Sequence, residues 1–513
     1  MFRSMFTVGG FTLMSRVLGF VRDKLIANYL GAGQLGDVWV AAFALPNMFR
    51  RIFGEGAFNS AFVPLYCRKI EEDGDDAANH FASRTISIMF WILMSLFVLI
   101  FVFMKQVIVI TNWGFRDDAR LDLAISAGRI TIVYMIFVCL MAAFSGILNS
   151  RKRFGPPAFA YVVLNIVLIA VLVFASSFFS SPLMAICYGV IIAGVLQFGV
   201  VWWATIRSGN KIKLALPIID SDVKKLSILM VPGLISAGIQ QLNLLVGGSI
   251  ASIDLGGKSS IYYSDRINQL PLGIIGMAAG VVLLPEISRN LRAGKIEEAK
   301  KSLSFGADAS IFLCIPAMVA MLVIPREIMH AIFQGGEFTP ENAIAAGRVL
   351  AAFAIGMPAY VLARVYQPGY YAREDTKTPM KFAIATAVIN MILCYPMFLW
   401  LGVMGCALAT SIAGWLNVIL LWNGLRKDNF VSLGGRMIWR YTRMFLSAFG
   451  MGAAIWYLSK YGEPWLLRDG DFAIRMGALL LLVLAGVAVY FIFILMSGVF
   501  TIAEIKKLVR RGR

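Results

Sequence analysis

Long blocks of apolar residues recur along this chain of 513 residues, and they restrict its fold more than any other feature. Each block has about twenty residues, the length that an α-helix needs to cross the hydrocarbon core of a bilayer. The blocks are continuous and do not alternate with polar residues, which disfavours an outer-membrane β-barrel. Hydrophobic residues make up 59% of the chain and charged residues 15%. Soluble globular proteins are less apolar and more charged. The sequence therefore predicts an all-α polytopic membrane protein.

The apolar blocks predict about fourteen membrane-spanning helices. The predicted spans are residues 6–30, 37–66, 83–104, 124–148, 158–178, 184–206, 226–251, 261–288, 302–324, 346–370, 379–400, 403–424, 438–459 and 474–498. The first, second and eighth spans fit the pattern least well because they contain charged residues.

Basic residues are concentrated in alternate connecting segments. The opposite set of segments holds only Lys105, Arg116, Arg120, Lys258, Arg326, Lys460 and Arg468. Lys and Arg accumulate on the cytoplasmic side of membrane proteins, so both termini are predicted to be cytoplasmic. The formal net charge of +18 is then mostly a consequence of topology, and no nucleic-acid partner is expected.

The two halves of the chain share a pattern of proline, glycine and asparagine at an offset of about 220–225 residues. The recurring pairs are Pro46 and Pro271, Pro64 and Pro285, Asn165 and Asn390, and Gly194 and Gly414. Six predicted spans separate the copies, so both copies have the same orientation. This predicts two six-helix lobes related by a pseudo-two-fold axis along the membrane normal. Chance recurrence of helix-punctuating residues is the alternative.

The predicted organisation has four parts. Residues 1–207 form an N-lobe with spans 1–6, and residues 208–225 form a cytoplasmic linker. Residues 226–425 form a C-lobe with spans 7–12, and residues 426–513 add spans 13 and 14 and a basic tail. Duplicated two-lobed membrane proteins are typically transporters, in which one lobe rocks against the other around a central substrate path.

Several charged residues lie inside the predicted spans. They are Arg16, Arg22, Asp23 and Lys24 in span 1, Asp37, Arg50, Arg51 and Glu55 in span 2, Asp265 and Arg266 in span 8, and Arg364 in span 10. An arginine at the centre of a membrane helix costs about 2.5–3.5 kcal/mol on insertion scales, so it normally faces a partner or a water-filled cavity.

Three of these arginines are predicted to share one cavity. Counted at about 1.5 Å per residue, Arg22, Arg50 and Arg266 lie at different depths between the outer end and the middle of their spans, within reach of one cavity in the outer to middle membrane. Sequence neighbours point in different directions on a helix, so Asp23 and Asp265 are not expected to neutralise the arginines beside them.

Arg51 and Glu55 are predicted to form an ion pair that stabilises the structure, because they are four residues apart and lie on one face of a helix. The remaining excess of arginine attracts anions, and guanidinium binds phosphate in a bidentate fork. A drug or cation antiporter would instead need unpaired carboxylates deep in its spans.

Four segments resemble signature segments of the lipid II flippase family, known as MurJ and formerly MviN. The segments are residues 15–23 (SRVLGFVRD), 45–58 (LPNMFRRIFGEGAF), 262–266 (YYSDR) and 368–379 (PGYYAREDTKTP). The second segment is the longest and the most specific, and the resemblance extends over nearly the whole chain.

The resemblance implies the fold of the multidrug/oligosaccharidyl-lipid/polysaccharide exporters. It also implies that the chain moves lipid II, a polyprenyl-pyrophosphate-linked disaccharide-peptide, from the cytoplasmic to the periplasmic leaflet of the bacterial inner membrane. The residues that match substrate-binding arginines of the family are Arg16, Arg22, Arg50 and Arg266. The residues predicted to gate or line the cavity are Ser15, Asp23, Asp37, Arg51, Glu55 and Asp265. Asp37 is a hypothetical gating residue that competes for an arginine.

Spans 13 and 14 are implied to form, with the C-lobe, a groove for the polyprenyl tail. We expect no cofactor, no metal site and no enzymatic activity, with transport driven by the membrane potential or an ion gradient. A monomer surrounded by membrane lipids suffices, because the cavity lies between two lobes of one chain. The alternatives are a flippase for another polyprenyl-pyrophosphate glycan, a drug or cation antiporter, and a membrane glycosyltransferase.

Overall fold

The computed structural model describes residues 2–54, 57–431, 434–468 and 470–498. Within these ranges the chain is helical, and its β-structure is limited to one isolated bridge between Gly335 and Phe338. The chain divides into two compact units, Met1–Ser259 and Ser260–Arg513.

The first unit contains nine α-helices among its described residues. They are α1 (Phe2–Leu30), α2 (Gln34–Phe49), α3 (Ala57–Val102), α4 (Met104–Thr111), α5 (Arg120–Thr131), α6 (Tyr134–Ser150), α7 (Gly155–Ala170), α8 (Pro182–Arg207) and α9 (Ser221–Ala251). A π-helix at Arg50–Gly54 continues α2, and another at Val171–Ala175 continues α7. Short 3-10 helices lie at Trp113–Phe115 and Ser176–Phe178.

The helix α10 (Gly257–Arg292) begins in the first unit and belongs mainly to the second. The helices that follow are α11 (Ile296–Val323), α12 (Pro325–Phe333), α13 (Pro340–Tyr371), α14 (Lys377–Leu401), α15 (Val403–Lys427), α16 (Gly435–Leu466) and α17 (Phe472–Met496).

The all-α polytopic membrane class predicted from the sequence is confirmed. Each predicted span falls largely on helix, and ten helical runs in the described residues are long and apolar enough to cross a bilayer. The helices outside these ten include α1 and α10, which carry the charges noted above. The count of fourteen spans stays a prediction.

One boundary differs clearly from its prediction. The segment between the second and third predicted spans, residues 67–82, is helical and belongs to α3. The helix is interrupted only at Gly74, which has φ of +84°. A glycine accepts this left-handed conformation without steric cost, so the chain can change direction there while its flanks stay helical. The apolar criterion could not find this stretch because its residues are mostly charged and polar.

Each unit is built around one central helix. Most residues of α6 are buried, and it packs against α3 and α8 in the first unit. In the second unit α13 has the same position and packs against α11, α12 and α15. α6 is apolar on nearly all sides, which is typical of a helix surrounded by other helices, and most residues of α13 are buried as well.

The hairpin of α14 and α15 depends on a close approach at Gly405. A Cβ atom at this position would overlap the backbone carbonyl of Met397, which cannot move as a flexible side chain can. We therefore expect Gly405→Ala to lower the free energy of unfolding by about 1–3 kcal/mol, measured by thermal unfolding in detergent. The matched control is Gly199→Ala in α8, where nothing lies within 4 Å of the added methyl group. Equal stability of the two variants would contradict the close-packing interpretation.

Candidate functional site

One group of buried and half-buried charged residues in the first unit is centred on Arg22 in α1. Its Nε and Nη2 donate to Asp23 Oδ1 at 3.0 and 2.7 Å, and its Nη1 donates to Asn165 Oδ1 at 2.8 Å. The side chains of Arg22 and Asp23 are only 11% and 6% exposed. The guanidinium is thus held between a carboxylate on its own helix and an amide on α7.

This geometry corrects the expectation that Asp23 leaves Arg22 unneutralised. The Cβ atoms of sequence neighbours do diverge on a helix, but the arginine side chain is long enough to fold back onto the adjacent carboxylate. The predicted cationic group is therefore an ion pair on this helix, and Asn165 fixes its direction.

Asn165 is oriented by three further bonds from its amide nitrogen. Nδ2 donates to the carbonyl of Ser15 at 2.9 Å, to Ser15 Oγ at 3.2 Å and to the carbonyl of Tyr161 at 3.2 Å. Gly19 faces the amide, and a methyl group there would make an ordinary van der Waals contact with Asn165 Oδ1 at 3.7 Å. The bonds from Nδ2 fix the amide so that its oxygen accepts from Arg22.

Arg50 lies at the junction between α2 and the π-helix and reaches the same face of α7. Its Nε donates to Asn47 Oδ1 at 2.9 Å, and its guanidinium lies 6.0 Å from the centre of the Tyr161 ring. Tyr161 and Asn165 are one helical turn apart, so Arg22 and Arg50 are held at neighbouring levels of α7.

The other predicted residues of the first unit lie around this group. Ser15 is half-buried against α7, Arg16 is exposed one residue further along α1, and Arg51 is half-buried in the π-helix. Glu55 lies outside the described residues, so its predicted pairing with Arg51 stays a prediction.

Asp265 and Arg266 lie on α10 in the second unit, and both are half-buried. Arg266 packs over the ring of Tyr262 at 4.8 Å and donates to its hydroxyl at 3.4 Å. Asp265 accepts from Gln269, so these two neighbours do reach in opposite directions along the helix. Their predicted meeting with Arg22 and Arg50 in one cavity stays a prediction.

Asp37, in the first turn of α2, is fully buried and its carboxylate is fully occupied. Oδ2 accepts from Arg120 Nη1 at 2.9 Å and from the backbone N–H of Gly256 at 2.8 Å. Oδ1 accepts from the backbone N–H and the hydroxyl of Ser259, both at 2.9 Å. The arginine that Asp37 contacts is thus Arg120, and the carboxylate also fixes the turn that leads from α9 into α10.

Arg120 completes this buried network. It is 2% exposed, donates to Asp118 at 2.7 and 2.9 Å, and packs over the ring of Phe115 at 4.6 Å. The hydrogen bonds from Arg120 hold the pKa of Asp118 below its ordinary value. Beside it, the buried ammonium of Lys258 donates to Asn112. Residues 112–120 are therefore fastened to the turn between α9 and α10.

Two residues of these sites, Asn165 and Arg120, are not among the site residues predicted from the sequence. In the sequence Asn165 marks only the internal repeat, although a polar side chain inside an apolar span is a usable signal. Arg120 lies in a predicted outer connecting segment, as an ordinary loop residue does. Arg364, a charge inside predicted span 10, is exposed on α13 and donates to the carbonyl of Leu272 on α10 at 3.0 Å.

Residues 26–469 match the family model described as lipid II flippase MurJ. The chain is 38% identical to a probable lipid II flippase MurJ of Rhizobium tropici, over 99% of this chain and 96% of the relative. It is 33% identical to the lipid II flippase MurJ of Burkholderia cenocepacia, over 83% of this chain and 84% of the relative.

Solved structures show the same fold. A lipid II flippase MurJ in an inward closed conformation matches with a TM-score of 0.79 and 26% identity, over 95% of this chain and 98% of that chain. An inward-facing multidrug transporter of the MATE family matches with a TM-score of 0.67 and 13% identity, over 81% of this chain and 95% of that chain. At this identity the second match concerns the fold alone.

Proposed function

The chain belongs to the lipid II flippase MurJ family, and from this membership we propose that it moves lipid II from the cytoplasmic to the periplasmic leaflet. The observation that carries the proposal is the arrangement of Arg22 and Arg50 on one face of α7. Ionisable residues inside membrane helices are costly to bury and mark substrate or ion pathways.

The pyrophosphate of lipid II is the part of the substrate that these arginines suit. Guanidinium donates to phosphate oxygens in a planar fork, and such charge-assisted bonds are about twice as strong as neutral ones. Asp23 and Asn165 hold Arg22 in one orientation, so little side-chain freedom is lost when the phosphate binds. Arg16 and Arg266 are proposed to extend this site, and the polyprenyl tail stays in lipid while the head group crosses.

We propose that transport follows alternating access, as related folds solved in inward-facing and outward-facing conformations suggest. Asp37 is proposed to act as a latch in this cycle. Any displacement of the turn between α9 and α10 from α2 must break its bonds to Gly256 and Ser259. Asp37 is thus proposed to have the gating role that the sequence predicts, and Arg120 is the arginine that it contacts.

The remaining parts of the proposal follow from family and topology. The protein acts as a transporter and not as an enzyme, as a monomer in the bacterial inner membrane, with both termini cytoplasmic. It uses no cofactor, and the membrane potential or an ion gradient drives transport. The last two helices, α16 and α17, border the path of the polyprenyl tail.

The proposal predicts that depletion of the protein in its native bacterium removes lipid II from the periplasmic leaflet. Expression of the wild-type chain at native abundance should restore it, measured by labelling lipid II that is accessible from the periplasm. The control is a mock rescue with an unrelated membrane protein at equal abundance. If depletion leaves lipid II exposure unchanged while another polyprenyl-linked glycan disappears from the surface, the chain is a flippase for that glycan.

A further inference from the structure

A small basic recess lies in the first unit where α6 and α8 end beside α3. It has a volume of about 390 Å³, and it is lined by Ile70, Ser150, Arg151, Lys152, Arg153 and Ser208. Three consecutive cations thus line one depression at the membrane end of two spans. These residues belong to the loop before span five, which plays no part in the arginine site on α7.

The recess carries an excess of positive charge. Arg151 Nη2 donates to Asp75 Oδ1 at 2.6 Å, so one of the three cations has a carboxylate partner. Lys152 and Arg153 are exposed at its edge. Three cations against one carboxylate leave two positive charges, and this lining suits an anion.

The guanidinium of Arg151 is held in place by its neighbours in the first unit. It donates to Asp75, it is hydrogen-bonded with the Tyr66 hydroxyl, and its Nε is buried. A cation fixed in this way loses little side-chain freedom when an anion binds beside it.

The backbone conformation of Lys152 also supports an anion site in the recess. Lys152 has φ of +59°, in the left-handed region where helix ends usually place glycine. The conformation is held by the bonds from Lys152 N to Asn149 O at 2.9 Å and from Arg153 N to Leu148 O at 2.8 Å. A lysine at this position adds a positive charge to the recess, and its backbone is strained. Strained backbone conformations are found most often at binding and active sites.

We propose that this recess binds the phosphodiester head group of an anionic membrane phospholipid. Its position at the ends of α6 and α8 places it at head-group depth, in the leaflet that the proposed orientation makes cytoplasmic. Basic pockets between membrane helices on that side bind anionic head groups. The volume is at the low end of about 300–1,000 Å³ for small-molecule sites, which suits a phosphoglycerol group and not a disaccharide-peptide. The lipid is therefore distinct from the transported substrate.

The test uses the full-length protein in phosphatidylcholine nanodiscs with and without phosphatidylglycerol, and it counts retained phosphatidylglycerol by native mass spectrometry. The variant Lys152→Gly with Arg153→Gln removes both edge charges. The glycine relieves the backbone at position 152, so the fold should be kept, which its thermal unfolding will check. We expect about a thirtyfold weaker retention of phosphatidylglycerol, from about a fivefold loss per charge near the membrane surface.

The matched control is Lys224→Gln with Lys225→Gln, which removes two exposed charges from α9 in the same unit. It should retain phosphatidylglycerol as the wild type does. Equal losses in both double variants would mean attraction by general surface charge and would overturn the proposal. In the last experiment, soluble glycerol phosphate is added at a concentration matched to that of the lipid. If it displaces the lipid, the recess is a site for a free phosphate. Lipid II exposure is measured separately, so the failure of either proposal leaves the other standing.

Discussion

Replacing Arg120 by alanine is expected to lower the free energy of unfolding by about 3–5 kcal/mol, the cost typical of breaking a buried ion pair by removing one partner. Asp37 is fully buried, and Arg120 is the cation that contacts its carboxylate in the structure, at 2.9 Å. The alanine leaves that carboxylate buried without this charge partner and also removes the bonds to Asp118. Thermal unfolding of the purified protein in detergent measures the effect.

Two further variants show whether the charge or the volume is responsible. Arg116→Ala removes an exposed arginine from the same loop, where it packs over Trp113, and should change stability little. The double variant Asp37→Asn with Arg120→Met removes both charges while keeping the bulk, and should recover much of the lost stability. If Arg120→Ala is no less stable than Arg116→Ala, the buried network does not hold residues 112–120 as described.

Replacing Arg22 by alanine is expected to reduce transport about a hundredfold, in line with truncating one partner of a buried charge pair. The variant loses the guanidinium that is proposed to bind the pyrophosphate, and it removes the ion pair between Arg22 and Asp23. Arg22→Lys should restore only part of the activity. A lysine is a compact ammonium and cannot reproduce the planar fork that reaches both Asp23 and Asn165. Periplasmic exposure of lipid II in depleted cells, at matched membrane abundance, is the measurement.

Asn165→Leu tests the orienting role separately. It keeps the charge of Arg22 but removes the amide that fixes its direction, so transport should fall by less than in Arg22→Ala. The matched control is Arg129→Ala, an exposed arginine of α5 that packs over Phe101 and should be dispensable. If Arg22→Ala supports normal exposure of lipid II, the proposed pyrophosphate site is wrong even though the substrate assignment survives.

The positions of the charged residues were readable from the sequence, but their partners were not. Arg22 and Arg50 stand out because each interrupts an apolar block. Asn165 is 143 residues from Arg22 along the chain, and Arg120 is 83 residues from Asp37. A hydrogen bond over such a separation depends on how helices pack, to within a few tenths of an ångström, and helical periodicity carries no information on that distance.

The amino-acid sequence by itself determined the class of fold and the family, because helix length against bilayer thickness and runs of signature residues are local properties of the chain. It also identified which arginines stand where a membrane helix tolerates them poorly. Only the tertiary structure decided that Asp23 neutralises Arg22, that Asn165 on α7 directs it, and that Asp37 is fastened to Arg120 and Ser259. These contacts exist because α1 meets α7 and α2 meets α5, and long side chains then take the partner that packing brings within reach.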